Sequence, residues 1–296
     1  MNILSLFDGM SCAQIAINKL GVANYTYYAS EIDKHAIKVT QANYPNTIQL
    51  GDINNWREWS LPPIDLLIGG SPCQGFSSSG KCLNFEDPRS RLFFTFVEIL
   101  KAINPKYFVL ENVKMKKEWM NIITEYIGVQ PVEINSALVS AQNRKRLYWT
   151  NIPNITQPED RGIRLIDIIE DNTFTSPASI VGYRIGERGV REDNNYSIPL
   201  KQYLIVREDN SKIGTLTTVQ KDTLLSNIKP GRYLATNYTM GKDYRKLTPL
   251  ECERLQTVPD NYTNHVSNNQ RYIMLGNGFT VDVITHILSY MENINV

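Results

Sequence analysis

Cys73 stands in the run Gly69-Gly70-Ser71-Pro72-Cys73-Gln74-Gly75-Phe76-Ser77, directly after the apolar stretch Ile64-Asp65-Leu66-Leu67-Ile68. A free thiol titrates near ~8.5, so only a few per cent is thiolate at neutral pH, yet it is strongly nucleophilic. In a turn that leads from a strand into a helix, backbone N–H groups favour the thiolate. The ordinary fate of a cysteine is an inert place in the core, but Pro72-Cys73-Gln74-Gly75 is unlike a core pattern. A second loaded position is Glu111, which follows the apolar run Tyr107-Phe108-Val109-Leu110, where an acid needs a partner or a task. A nucleophile and an acid at neighbouring strand ends make a pair suited to covalent catalysis.

Three further acids follow strand-like runs: Asp8-Gly9, Glu31 and Asp52. Asp8-Gly9 reads as a tight turn where backbone can approach a ligand. Glu31, 22 residues past Gly9, is placed to accept both hydroxyls of a ribose, and Asp52 could accept from an adenine amino group. Taken singly, each acid could equally be a helix cap or a turn residue. The first turn is Asp8-Gly9-Met10-Ser11-Cys12 and not G-x-G-x-x-G, which disfavours a dinucleotide pyrophosphate. Gly75 to Cys82 nearly matches the P-loop G-x-x-x-x-G-K-[ST], but Cys82 replaces the magnesium-holding hydroxyl, and six residues separate Ile68 from Gly75.

These residues need a frame. The first half alternates strands (Ile3–Phe7, Tyr25–Ser30, Thr47–Leu50, Ile64–Ile68, Tyr107–Leu110) with helices (Ser11–Leu20, Asp33–Asn43, Arg89–Ile103), and Val132–Val139 and Arg146–Thr150 continue as strands. The rhythm predicts an α/β fold with a mostly parallel sheet covered by helices on both faces, and ligands in such sheets bind at the carboxyl ends of the strands. After Pro153 the chain turns to Gly, Asn, Asp, Thr and Tyr, with short β-prone runs such as Tyr203–Val206, which predicts a smaller loop-rich unit. Thr248-Pro249-Leu250-Glu251 is a capping box with proline at the first helical position, and Val281–Met291 reads as an amphipathic helix. The expected division is a catalytic unit of 1–160 plus 271–296 and a small unit of 161–270.

The chain has 296 residues with a net charge of +1. Residues 161–246 hold 14 Lys/Arg against 10 Asp/Glu, a mild local excess that suits a DNA-facing segment and equally suits a solvated surface. Four cysteines without a CxxC pair and three isolated histidines predict reduced thiols and no metal site. Met1 to Gly9 has neither the basic region nor the apolar run of a signal peptide, and no run approaches ~18 apolar residues. The expectation is a cytoplasmic protein without a membrane span.

In order along the chain, these motifs resemble those of the DNA (cytosine-5)-methyltransferases of prokaryotes and phages. Phe7-Asp8-Gly9 is similar to the cofactor loop, Glu31 to the ribose acid, Asp52-Ile53 to the adenine contact, Pro72-Cys73-Gln74 to the nucleophile loop and Glu111-Asn112-Val113 to the acid motif. Gln142-Asn143-Arg144-Lys145-Arg146 matches QxRxR, Leu247 to Asp260 the penultimate motif, and Gly276-Asn277-Gly278 the last. Each is short alone; together and in order they are specific. Ile32 departs from the pattern, standing where an aromatic often covers the adenine, and the first loop lacks further glycines.

The resemblance implies a Rossmann-like fold that binds S-adenosylmethionine through Phe7, Asp8, Gly9, Glu31, Ile32, Asp52, Ile53, Pro72 and Asn277. It implies methylation of cytosine carbon 5 in a specific double-stranded DNA sequence, the 161–270 unit recognising the target. Cys73, Glu111, Arg144 and Arg146 would carry the chemistry, Arg144 by contacting the backbone or bracing the loop. Gln74, Ser77 and Gln142 would meet DNA, with Ser77 to Lys81 as a closing loop. Apart from the resemblance, Gly182 to Gly189 places two arginines and a tyrosine among three glycines, which suits a loop entering a groove, so Arg184 or Arg188 is expected to pair with a guanine beside the target, the alternative being phosphate contacts or solvated surface. The expected partner is double-stranded DNA, bound by a monomer, with a cognate restriction endonuclease acting on the same site. The rival readings are a tRNA cytosine-5 methyltransferase, which shares the nucleophile and acid motifs, and a non-catalytic DNA-binding relative.

Overall fold

The computed structural model describes residues 1–71, 88–186, 190–208 and 211–292. Strands β1 (Asn2–Leu6), β2 (Thr26–Ser30), β3 (Ile48–Gln49), β4 (Leu66–Gly69), β5 (Tyr107–Val113), β6 (Val132–Asn135) and β7 (Lys145–Thr150) form one sheet in the order β3-β2-β1-β4-β5-β7-β6. The first five neighbours run parallel, and β7 lies antiparallel between β5 and β6. Sequential strands leave β1 first on one side and then on the other. The carboxyl ends of β1 and β4 therefore flank the switch point, where such sheets open a crevice.

Burial on both faces explains why β4 and the first half of β5 read as apolar runs and why β1 is apolar but for Asn2 and Ser5. Successive side chains serve opposite cores. Ile3, Leu66, Ile68 and Val109 join one hydrophobic cluster, while Leu4, Leu6, Leu67, Phe108 and Leu110 join the other. Helices α1 (Cys12–Lys19), α2 (Lys34–Asn43), α3 (Pro88–Ile103) and α4 (Lys117–Ile127) complete this half. Gly21, at φ 76°, follows the end of α1 as the sequence suggests.

Two local expectations are corrected. Val132–Val139 is not one strand, because the Asn135 side chain accepts from the N–H of Ala137 and starts a 3-10 turn over Ser136–Leu138. The sequence reading also passed over α4. Its signal is the spacing of Met120, Ile123 and Ile127 before Gly128, which ends the helix at φ 86°.

A second, wholly antiparallel sheet is built from β8 (Ser176–Tyr183), β9 (Lys201–Val206), β10 (Leu224–Ser226), β11 (Gly231–Leu234) and β12 (Tyr244–Lys246), in the order β11-β9-β8-β10-β12. Its own small core is Ala178, Leu204, Val206 and Leu224. Helices α5 (Pro249–Leu255), α6 (Asn268–Asn277) and α7 (Val281–Leu288) follow. The capping box of α5 is formed at both ends, Thr248 Oγ1 accepting from Glu251 N–H and Glu251 accepting from Thr248 N–H. Val283, Ile284 and Ile287 of α7 share a buried cluster with Ala13 and Ile17 of α1, and Lys19 pairs with Asp282 at 2.6 Å. No helix among the described residues is long and apolar enough to cross a membrane.

Candidate active site at the carboxyl ends of the strands

The chain leaves β1 through a turn held largely in the left-handed region: Phe7 has φ 55°, Gly9 φ 59° and Ser11 φ 60°. Such a conformation in non-glycine residues costs free energy and needs holding. Asp8 does much of that. Its carboxylate accepts from Tyr27 Oη at 2.7 Å and from Ser11 Oγ, and its main chain bonds Ser30 and Ser11. Burial pushes the Asp8 carboxyl up to about 6 despite those hydroxyls.

Glu31, just past β2, secures the same turn. One oxygen accepts from Gly9 N–H at 2.7 Å and the other from the N–H groups of Ile32 and Asp33, both at 2.8 Å. Beside it, the aliphatic side chain of Ile32 is 74% exposed. Asp52 caps the 3-10 turn that begins at Ile53 and accepts from Asn54 N–H at 2.9 Å. Ile53 itself is buried.

The end of β4 explains its paired glycines. A Cβ on Gly69 would stand 2.8 Å from the Leu6 carbonyl oxygen, and one on Gly70 would stand 2.9 Å from the Phe279 ring and 3.1 Å from Glu111 Oε2. Ser71, two residues before Cys73, is buried, and Asn112 Nδ2 donates to its Oγ at 3.2 Å. Pro72, Cys73, Gln74 and Ser77 lie outside the described residues, as do the rest of the expected closing loop and Arg188.

On the neighbouring strands, Glu111 sits within β5 and Arg146 within β7, the latter in register with Val113. Both side chains project to one spot, where Arg146 Nε meets Glu111 Oε1 at 3.0 Å, and each is only 13% exposed. Arg144, two residues earlier, points elsewhere. Its guanidinium is buried and donates to the carbonyls of Leu216 at 2.8 Å, Gly276 at 3.2 Å and Gly278 at 3.0 Å. Burial lowers its pKa to about 10, so it stays charged at neutral pH. These bonds tie Arg144 to main-chain carbonyls of the protein itself.

Gln142 is a correction. Expected to meet DNA, it is fully buried, donating to Leu255 O at 2.6 Å and Gln256 Oε1 at 2.9 Å, so its hydrogen-bonding groups face inward. Arg184, past the end of β8, lies outside the cavity, its guanidinium 4.8 Å over the Tyr196 ring and its Nη1 donating to Asp193 O at 3.2 Å.

The other residues meet. One cleft of about 490 Å³ is lined by Phe7, Asp8, Gly9, Glu31, Ile32, Asp52, Ile53, Asn277, Glu111, Arg144 and Arg146, the size of a site for a small organic ligand. Ser71, Asn112, Cys12 and Phe279 also line it, and the sequence reading had given none of them a role. Asn112 could have been found, since it is the polar residue beside Glu111. Phe279 has no local signal. Cys12 is a poor nucleophile, because burial pushes its thiol up to about 12. Among the described residues no group of three His, Cys, Asp or Glu could hold a metal ion.

Residues 1–293 match the family of C-5 cytosine-specific DNA methylases. The type II methyltransferase M1.ScrFI of Lactococcus lactis subsp. cremoris is 29% identical over 98% of this chain and 77% of its own length. The type II methyltransferase M.NlaIV of Neisseria lactamica is 36% identical over 87% of this chain and 68% of its own. Among solved structures, the Entamoeba histolytica methyltransferase EhMeth superposes with a TM-score of 0.70 at 17% identity, covering 98% of this chain and 97% of that one. The S. pombe Dnmt2 methyltransferase does so at 0.65 and 18%, with full coverage of both chains, and these two likenesses bear on the fold alone. Cleft, fold and family match converge: the chain belongs to the C-5 cytosine-specific DNA methylases and is a DNA (cytosine-5)-methyltransferase.

Proposed function

We propose that the enzyme methylates carbon 5 of a cytosine flipped out of a specific double-stranded DNA sequence, using S-adenosylmethionine and a transient covalent bond from Cys73 to carbon 6. The observation that carries this reading is that one cleft holds two chemically distinct ends. At one end are the Glu31 carboxylate and the exposed Ile32, and at the other the Glu111–Arg146 pair. The donor set at the first end fits the cofactor. Glu31 offers a carboxylate to ribose hydroxyls, Ile32 and Ile53 offer apolar surface to a purine, Asp52 an acceptor for its amino group, and Phe7, Asp8, Gly9 and Asn277 close the wall. Pro72 would join them. When bound there, S-adenosylmethionine supplies an electrophilic methyl group.

The second end suits a pyrimidine. Carbon 5 of cytosine is too weak a nucleophile to take a methyl group unaided. Attack of the Cys73 thiolate on carbon 6 forms a carbon–sulfur bond and pushes electron density onto carbon 5. Glu111 shares a proton with ring nitrogen 3, and Arg146 holds oxygen 2, where negative charge also develops. Methylation of carbon 5 would leave S-adenosylhomocysteine as the thioether product, and loss of the carbon 5 proton to water then lets the bond to Cys73 break and returns the thiolate. None of these atoms can be reached within a duplex, so the base must leave the stack at a cost of a few kcal/mol. The buried Ser71, whose Oγ accepts from Asn112 Nδ2 beside Glu111, supports a nucleophile segment that starts at this end of the cleft.

The proposed division of 1–160 plus 271–296 and 161–270 keeps each sheet whole, the seven-stranded one in 1–160 and the five-stranded one in 161–270, while Ile273, Met274 and 276–279 line the cleft. The second unit is proposed to recognise the target sequence. The type II naming of relatives suggests a cognate restriction endonuclease for the same site. Incubation with labelled S-adenosylmethionine and duplex DNA, RNA or no acceptor tests the reading. Label on carbon 5 of DNA cytosine is expected, and label on RNA alone would overturn it.

A further inference from the structure

Beside the cleft lies a buried polar knot whose central residue does not itself line it. Its centre is Gln256, fully buried just past α5. Gln256 Nε2 donates to Leu275 O at 2.6 Å and Gly278 O at 3.1 Å, while its Oε1 accepts from Gln142 Nε2 and Thr280 Oγ1, both at 2.9 Å. Both donors and both acceptor sites of the amide are used, which is the full capacity of that side chain.

Each partner ties in a different part of the chain. Gln142 also donates to Leu255 O and accepts from Leu216 N–H at 3.2 Å. Arg144 grips the other side of the same residue, Leu216 O, together with Gly276 O and Gly278 O. Residues 276–279 line the cleft where the cofactor is proposed to bind. Arg144 immediately precedes β7, two residues before Arg146. The knot thus links the backbone around Asn277 to the strand that carries Arg146.

We infer that Gln256 is a positioning residue for methyl transfer. Through Gly278 it sets the cofactor wall, and through Gln142 and Arg144 it sets the strand presenting Arg146, so the two ends of the cleft keep one spacing. An amide suits this place because it faces two carbonyls and two donors at once. A carboxylate of the same shape could accept from Gln142 and Thr280 but would turn an acceptor towards Leu275 O and Gly278 O. The inference rests on the proposed assignment of the two ends of the cleft.

The test is Gln256→Glu in the full chain, with Gln256→Leu taking its place if the first variant does not fold. Ile123→Val, a trim of a buried residue in α4, which lines no part of the cleft, controls for lost stability. Single-turnover methyl transfer, the cofactor and DNA dissociation constants and the thermal midpoint are measured for each. Gln256→Glu is expected to slow transfer at least tenfold and weaken cofactor binding at least threefold, with DNA affinity within twofold. The control at matched thermal midpoint should stay within twofold of the parent in every readout. A transfer rate and cofactor affinity within twofold of the parent, or losses no larger than those of the control, would overturn the inference. Failure of the proposed function itself would show separately, as an unmodified parent enzyme that leaves carbon 5 unlabelled, and the cofactor affinity of the variant would still decide the role of Gln256.

Discussion

Glu31→Gln separates ligand binding from loop support at one residue. In the parent, two carboxylate oxygens serve three backbone N–H groups, of Gly9, Ile32 and Asp33. An amide has one oxygen. If it stays with Ile32 and Asp33, the NH2 group faces the N–H of Gly9, and the turn with φ above 50° at Phe7, Gly9 and Ser11 loses its outer tie. Losing one charge-assisted hydrogen bond in a partly buried site costs about 1.5–3 kcal/mol. At roughly 2–4 °C per kcal/mol for a chain of this size class, the thermal midpoint should fall by several degrees. Ribose hydroxyls left without their acceptor should weaken S-adenosylmethionine by about 1–3 kcal/mol, or roughly 5- to 150-fold. Calorimetric titration of the cofactor, beside thermal unfolding with and without it, reads both numbers. A lower midpoint with an unchanged cofactor dissociation constant would show that Glu31 only braces the turn. An unchanged midpoint would refute the argument about Gly9.

Asp8 gives a pH signature. Burial raises its carboxyl from 3.8 to about 6, so between those values the folded state binds the proton more tightly than the unfolded chain does. Its contribution therefore falls as pH rises through that window and levels off above it, and Asp8→Asn should gain about 2 kcal/mol relative to the parent between pH 4.5 and 7 in urea titrations. A pH-independent difference would contradict the burial argument. Cys73→Ala should abolish methyl transfer while DNA and cofactor binding persist, and 5-fluorocytosine in the target site should trap the parent covalently. Turnover within about tenfold of the parent would end the covalent mechanism. Arg184→Ala distinguishes base from phosphate contact: bisulfite sequencing of random DNA should show relaxed preference at one position of the site. Uniformly weaker methylation, with a flatter salt dependence, would make Arg184 a phosphate ligand instead.

Much of the cleft could be read from sequence because its acids interrupt or follow apolar runs. Asp8, Glu31 and Asp52 each stand just past the carboxyl end of a strand, and Glu111 stands near the carboxyl end of β5. The strand order was less legible, since β6 and β7 look like any other short runs and their antiparallel return shows only in the pairing. What could not be read was the second task of several residues. Glu31 looks like a ribose ligand, yet it also holds three N–H groups. Gln142 looks like a DNA contact because it sits in a basic cluster, and its partners Leu255 and Gln256 lie more than a hundred residues away. Buried polar networks of this kind leave no periodic trace.

The five-stranded sheet is attached to the rest of the chain in a way that bears on engineering. Between β9 and β10 the chain leaves that sheet and returns to residues 141–143, where Ile213 N–H donates to Ala141 O and Asn143 N–H donates to Ile213 O, each at 2.8 Å. A few residues on, Thr217 and Thr218 press so closely on Gly276 that an added Cβ would sit 2.5 Å from the Thr217 carbonyl carbon. The sheet is therefore not an appendage on two stems but is stitched down through its middle. A chimera carrying a foreign second sheet with only its outer junctions matched would bring an unmatched stitch into the half that holds the cleft. Grafts that retain Ile213 to Thr218 from the host, and exchange the strands on either side of it, keep the seam that both halves were built around.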